Sequence, residues 1–190
     1  MHRRVKKIIT LALIFTILVF HTAYGLETTK LEDIGVRLKA LGLMIGDPDG
    51  NMRFQDNITR AEFAAVSVRL IGKESAALQR KGKTKFQDVP STHWSTGHIN
   101  IAVENGLIRG YEDGTFRLNR NITHGEAITI LVNALGYGSK VQGTDWPNNF
   151  IHAATELGLT KDVAIKAETP ATRGDIAVML HNSLTIPLGK

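Results

Sequence analysis

The chain contains no cysteine in its 190 residues. Disulfides, thiolate metal sites, a cysteine nucleophile and a lipidated N-terminal cysteine are therefore excluded, and an exported chain of this kind must be held by its core. Metal-ligand spacing is missing too. His93, His98, His124, His152 and His181 fall at no interval a metal site uses, so no metal or cofactor is expected. Asp47 and Asp49 beside Gly50 faintly resemble a calcium loop, but the glycine stands in the wrong place, and a turn is expected instead. There is no serine nucleophile motif. A hydrolase also wants two carboxylates facing a cleft, whereas most acids here stand at helix caps, in loops or on exposed faces. These absences argue against an enzyme.

A surplus of positive charge is missing outside one short segment. Four of the 23 lysines and arginines, and none of the 18 acids, lie in residues 1–25, which leaves 19 basic against 18 acidic residues, a net of +1. Nucleic-acid binding needs a clear basic excess and is not expected. Residues 1–25 have the form of a secretory signal peptide. Arg3, Arg4, Lys6 and Lys7 form a basic head, Ile8 to Phe20 is apolar apart from Thr10 and Thr16, and Ala23-Tyr24-Gly25 suits cleavage after Gly25. The apolar run is short for a span of about 20 residues, so an uncleaved anchor is the weaker alternative. Contact with a membrane is expected only through this segment, before cleavage.

What the chain does have is one tetrapeptide three times: Thr59-Arg60-Ala61-Glu62, Thr123-His124-Gly125-Glu126 and Thr172-Arg173-Gly174-Asp175. Each opens an apolar run. A threonine followed three residues later by an acid is a capping box, in which hydroxyl and carboxylate each satisfy a backbone N–H of the first turn. Thr59, Thr123 and Thr172 are thus read as N-caps, with Glu62, Glu126 and Asp175 reaching back; the shorter aspartate limits that reach. Arg60 and Arg173 directly follow a cap. A guanidinium beside free N–H groups at the positive end of a helix suits a carboxylate or phosphate. As a first helical residue without core contact, Arg60 is expected to be replaceable by alanine with little loss of stability.

The repeat extends further. Residues 42–62 align without a gap to residues 106–126, with ten of 21 positions identical, an offset of 64. Residues 26–78, 79–139 and 140–190 divide into three units. Each has a first helix, a glycine-punctuated loop and a capped, charge-poor helix; the third unit is the most diverged, with a shorter loop. Residues 73–85 read as a helical tail and an exposed linker. One such unit cannot cover its own apolar face. The expected fold is all-α: three helix–loop–helix repeats around a shared three-helix core, with pseudo-threefold character and the first helices outside.

The stretch from Phe86-Gln87-Asp88-Val89 through His93-Trp94 to Gly110-Tyr111-Glu112-Asp113-Gly114-Thr115-Phe116 and Thr123-His124-Gly125-Glu126 resembles an S-layer homology motif. Of its hallmarks only the arginine after the threonine is absent. The resemblance runs from residue 31 to 186, although the first unit lacks the opening Phe-x-Asp-Val and Trp, and the third lacks the loop signature. It implies a three-pronged helical fold on a bacterial cell wall. It also implies non-catalytic, non-covalent binding of a secondary cell-wall polysaccharide, often one bearing ketal-linked pyruvate, in grooves between units. Arg60 and Arg173 would then engage the carboxylate, with Thr59 and Thr172 holding the helix ends. Trp94 and Trp146 would either stack on sugar rings or plug the space before a first helix. Asp113 and Gly114 would set a turn, with a secondary role in lining the groove. His124 stands where an arginine is expected, so its groove reads as non-binding unless mild acid restores the charge. The competing readings are a small secreted wall hydrolase and a self-assembling surface-layer protein.

Overall fold

The computed structural model describes residues 30–189; the expected signal segment and its cleavage point lie outside them. The described residues form helices α1 (residues 30–40), α2 (Arg60–Leu70), α3 (Glu74–Gln79), α4 (Thr96–Glu104), α5 (His124–Ala134), α6 (Asn148–Glu156) and α7 (Arg173–Ser183), with a 3₁₀ turn at Gly138–Lys140. None is long and apolar enough to cross a membrane.

The three capping boxes all form. The hydroxyls of Thr59, Thr123 and Thr172 accept from the amides of Glu62, Glu126 and Asp175, and each acid accepts from its cap amide in return. The shorter Asp175 still closes its box, at 2.9 Å from the Thr172 amide. Each first helix ends at a glycine with φ near +70°, Gly42 (+68°), Gly106 (+68°) and Gly158 (+77°); glycine enters that left-handed region without a Cβ penalty. The segment 73–85 is less of a loose linker than its charge suggested. α3 packs on α4 so closely that a Cβ on Gly97 would collide with the Ala77 carbonyl, and Ala77 and Thr84 are buried.

The core is continuous. Leu38 of α1, Phe63 and Val68 of α2, Ile99 of α4, Ile128 and Leu131 of α5, Ala154 of α6 and Ile176 and Leu180 of α7 belong to one buried cluster. The capped helices meet at their starts. The Ile58 amide donates to the Ala171 carbonyl (3.1 Å), the Ala171 amide to Ile122 (2.9 Å), and the Ile122 amide to Ile58 (3.0 Å). Three residues, each just before an N-cap, therefore close a ring of hydrogen bonds. Beyond it, Thr59 bridges to Asn121, Thr123 to Pro170, and Thr172 to Asn57.

Candidate functional site

The ring uses up the helix N-termini. The first two amides of α2, those of Arg60 and Ala61, donate to the carbonyls of Arg120 and Leu118; those of α5 donate to Thr169 and Ala167; those of α7 donate to Asp56 and Phe54. An anion held by free first-turn amides, as the tetrapeptide suggested, has no such donors here. Each helix start is instead plugged into the loop of the next unit. The small residue at the second helical position suits the approach: a Cβ on Gly174 would lie 3.0 Å from the Phe54 carbonyl.

The arginine side chains are consequently buried, both residues being 4% exposed. This corrects the expectation that Arg60 makes no core contact. Arg60 Nε donates to the Phe116 carbonyl (2.9 Å) and a terminal nitrogen to the Arg109 carbonyl (3.0 Å), while the other stands 3.7 Å from Glu126. Arg173 repeats the pattern with Met52 (2.7 Å), Ile45 (2.9 Å) and Glu62 (3.3 Å). A guanidinium has five N–H donors. Arg173 directs three of them at protein oxygens and Arg60 two, with Glu126 at ion-pair distance only, so each arginine keeps at least one uncommitted N–H on each terminal nitrogen. That pair matches the two oxygens of a carboxylate. Burial pushes both guanidiniums below the ordinary arginine value, opposed chiefly by Tyr111 and Glu126 at Arg60 and by Glu62 at Arg173.

Both arginines line grooves. A cavity of about 470 Å³ is bounded by Arg173, Glu62, Ala65, Ile45 and Trp94. A cavity of about 650 Å³ is bounded by Arg60, Glu126, Thr129, Arg109 and Trp146. Each thus takes its arginine from one unit, its capping acid from the next and its tryptophan from the third. The tryptophans are not interior plugs: Trp94 is 51% and Trp146 53% exposed. Trp146 is fixed by its indole N–H, which donates to Thr129 Oγ1 at 3.1 Å. Trp94 lies between His93 and His98, with ring centroids 5.6 and 6.0 Å away. The capping acids carry a second arginine: Arg53 on Glu62 (3.0 Å) and Arg120 on Glu126 (2.8 Å). At Glu126 one negative charge faces two positive ones, which leaves the surroundings receptive to an anion; at Glu62 the second arginine is shared with Asp56, 3.5 Å away.

The third junction is closed. His124 is buried, with Nδ1 3.2 Å from the Lys166 carbonyl and Nε2 3.2 Å from Asp175 Oδ2. It occupies the arginine's place between loop carbonyl and capping acid, but both ring nitrogens are engaged. The position 64 residues before Trp94 is Lys30, which is paired with Asp162 at 2.7 Å. Neither an uncommitted fork nor a tryptophan is present there.

The hydrogen bond to Asp175 raises the His124 pKa above the ordinary imidazole value, against burial. Burial pushes Asp175 up, but hydrogen bonds from His124 and Thr172 outweigh it and hold the carboxyl low. The raised histidine contributes stability that is complete below pH 6.5 and fades as pH rises through its folded value; the lowered aspartate contributes stability lost as pH falls below about 3.8. His98 works in the opposite direction, since burial lowers its pKa and acidification below pH 6.5 costs stability. The wild-type minus His124→Gln difference in thermal midpoint isolates the pair. It should be largest near pH 5–6 and shrink toward pH 9. A difference independent of pH from 5 to 9 would refute the ionic coupling.

Asp113 and Gly114 make the turn. Asp113 accepts from the Thr115 amide (3.0 Å) and hydroxyl (2.6 Å) and from Arg117 (3.0 Å), and its pKa falls to about 2, first through Thr115. Gly114 has φ +79° and borders a cavity of about 490 Å³ beside the Arg60 groove. Sequence reasoning passed over three contributors. Asp88 accepts from the amides of Phe116 (2.7 Å) and Arg117 (2.6 Å) and so steadies the carbonyl that holds Arg60. Arg109 and Thr129 stand on the wall of the larger groove; the 64-residue offset already sets Arg109 opposite Ile45 and, extended past residue 126, sets Thr129 opposite Ala65. Among the described residues no group of three or more His, Asp or Glu is placed to hold a metal ion.

Residues 37–64 and 85–128 match the S-layer homology domain family. The "Middle cell wall protein" of Brevibacillus brevis is 39% identical over 158 residues, covering 83% of this chain and 15% of its own length. The "Surface layer protein" of Brevibacillus choshinensis is 34% identical over 197 residues, 98% of this chain and 18% of its own. The "Cellulosome-anchoring protein" of Acetivibrio thermocellus is 28% identical over 154 residues, 73% and 34% respectively. The chain thus spans a minor part of the length of each of these relatives.

Proposed function

The chain belongs to the S-layer homology domain family, and from that premise we propose that it is a non-catalytic module that anchors at the bacterial cell surface by gripping an acidic secondary cell-wall polysaccharide. The relatives named for the cell wall, the surface layer and anchoring support the location and the anchoring role. The observation that carries the ligand class is the pair of uncommitted N–H donors on each of Arg60 and Arg173, each beside a half-exposed tryptophan. A ketal-linked pyruvate presents what this pair needs, a single carboxylate fixed to a sugar ring that can lie against an aromatic face. Residues 140–190 lie outside the matched segments; we read them as a third, diverged repeat because Arg173 and Trp146 occupy the places of Arg60 and Trp94. Two grooves therefore bind, and the His124 junction serves to hold units together.

The test is sedimentation of the protein with purified cell-wall sacculi before and after the secondary polymer is stripped. Wild type should bind only the unstripped material. Trp94→Ala and Trp146→Ala remove half-exposed side chains, so both should fold. Each should weaken binding by roughly three- to tenfold, about 0.7–1.4 kcal/mol, in the range of one aromatic contact, and the double variant should weaken it further. His124→Arg should bring no gain, because that junction lacks a tryptophan. Equal sedimentation with stripped sacculi, or no loss in the double variant, would refute the reading.

A further inference from the structure

The two grooves share one backbone but differ in their walls. The carbonyls of Ile45 and Arg109 do the same work, accepting from Arg173 and Arg60 at 2.9 and 3.0 Å. Position 45 and position 109 are thus held by main chain, which leaves the side chain beside each arginine fork free to differ. In the Arg173 groove it is an isoleucine, 52% exposed, near Met44, Pro48 and Ala65; the two further arginines on that wall, Arg53 and Arg69, are each paired with a carboxylate, Glu62 and Glu74. In the Arg60 groove it is an exposed arginine, accompanied by Asn105, Thr129 and Asn133. Arg109 has no carboxylate within ion-pair distance among the described residues, unlike Arg53, Arg69, Arg117 and Arg120. It also borders the neighbouring cavity together with Lys85, so the positive wall continues past the fork.

Building on the function proposed above, we infer that the grooves divide the polymer between them. The Arg60 groove takes a saccharide bearing two negative groups, one on the Arg60 fork and one on Arg109. The Arg173 groove takes a singly charged sugar whose adjoining substituent is apolar. An exposed isoleucine offers a second anion nothing and favours a methyl or acetyl group, whereas an unpaired guanidinium with three polar neighbours favours charge and hydroxyls.

Calorimetric titration of the full chain tests this with two probes: a methyl hexoside carrying one pyruvate ketal, and the same glycoside carrying an added O-phosphate. Wild type should bind the singly charged probe in both grooves and the doubly charged probe at one site about tenfold more tightly. Arg109→Ile, which copies the residue of the other groove, should abolish that advantage and weaken the singly charged probe far less. Ile45→Arg should create a second tight site. Both positions are exposed and held by main chain, and an unchanged melting curve checks folding. Retention of the advantage in Arg109→Ile, or an equal loss for both probes, would overturn the division while leaving the anchoring function intact. No binding of either probe to wild type would count against the carboxylate fork itself and remove this inference with it.

Discussion

Arg60→Ala should lower the thermal midpoint before any ligand is considered. The substitution leaves the carbonyls of Phe116 and Arg109 without their charged donor and deprives Glu126 of one of its two arginines. Hydrogen bonds to charged groups contribute roughly 1.5–3 kcal/mol each. Water entering from the groove replaces part of this, so a net loss of about 3 kcal/mol is expected, or a drop on the order of 10 °C for a domain of this size. Arg60→Lys should fall between the two, since an ammonium keeps the charge and loses the fork. Circular dichroism melts would decide the matter. A midpoint within about 1 °C of wild type would mean that the arginine is ornamental to the fold. The same reasoning makes arginine deletions poor probes of binding and the half-exposed tryptophans better ones.

Residues 26–78 expressed alone should have no cooperative melt and only weak helical signal. Excision would uncover Ile58, Ala61, Phe63 and Ala64, which are at most 2% exposed in the intact fold. It would also strip the amides of Arg60 and Ala61 of their acceptors on Arg120 and Leu118. A helix of 11 residues is marginal in water without packing, and α2 is buried on nearly every side. A sharp monomeric unfolding transition in this fragment would contradict the shared core.

The helix starts were legible because their chemistry is local. A threonine and an acid three residues apart make a capping box whatever surrounds them, and all three closed, even with an aspartate. The internal offset was legible too, as was the buried character of α2 and α5. The environment of Arg60 was not. Its acceptors are main-chain carbonyls 49 and 56 residues away, and a carbonyl has no sequence signature. By itself, a first helical position reads as a surface position. Only the ring through Ile58, Ile122 and Ala171 reveals that each helix start is covered by its neighbour. For the same reason the supposed anion-binding amides were misjudged, since each is already taken by a carbonyl of the next unit. The tryptophans could not be assigned because their groove is assembled from residues of all three units.

The closed ring also bears on how such a chain can change over time. Each groove borrows one part from every unit, so on the proposed function damage to a single fork would silence a single groove, and His124 in place of an arginine would have that limited effect. Loss or duplication of a whole unit is different, because a cycle that closes after three steps has no place for two or four. Point substitutions can therefore alter one groove at a time while the number of units stays locked. Variation among the grooves and constancy in the frame between them follow from the same three hydrogen bonds.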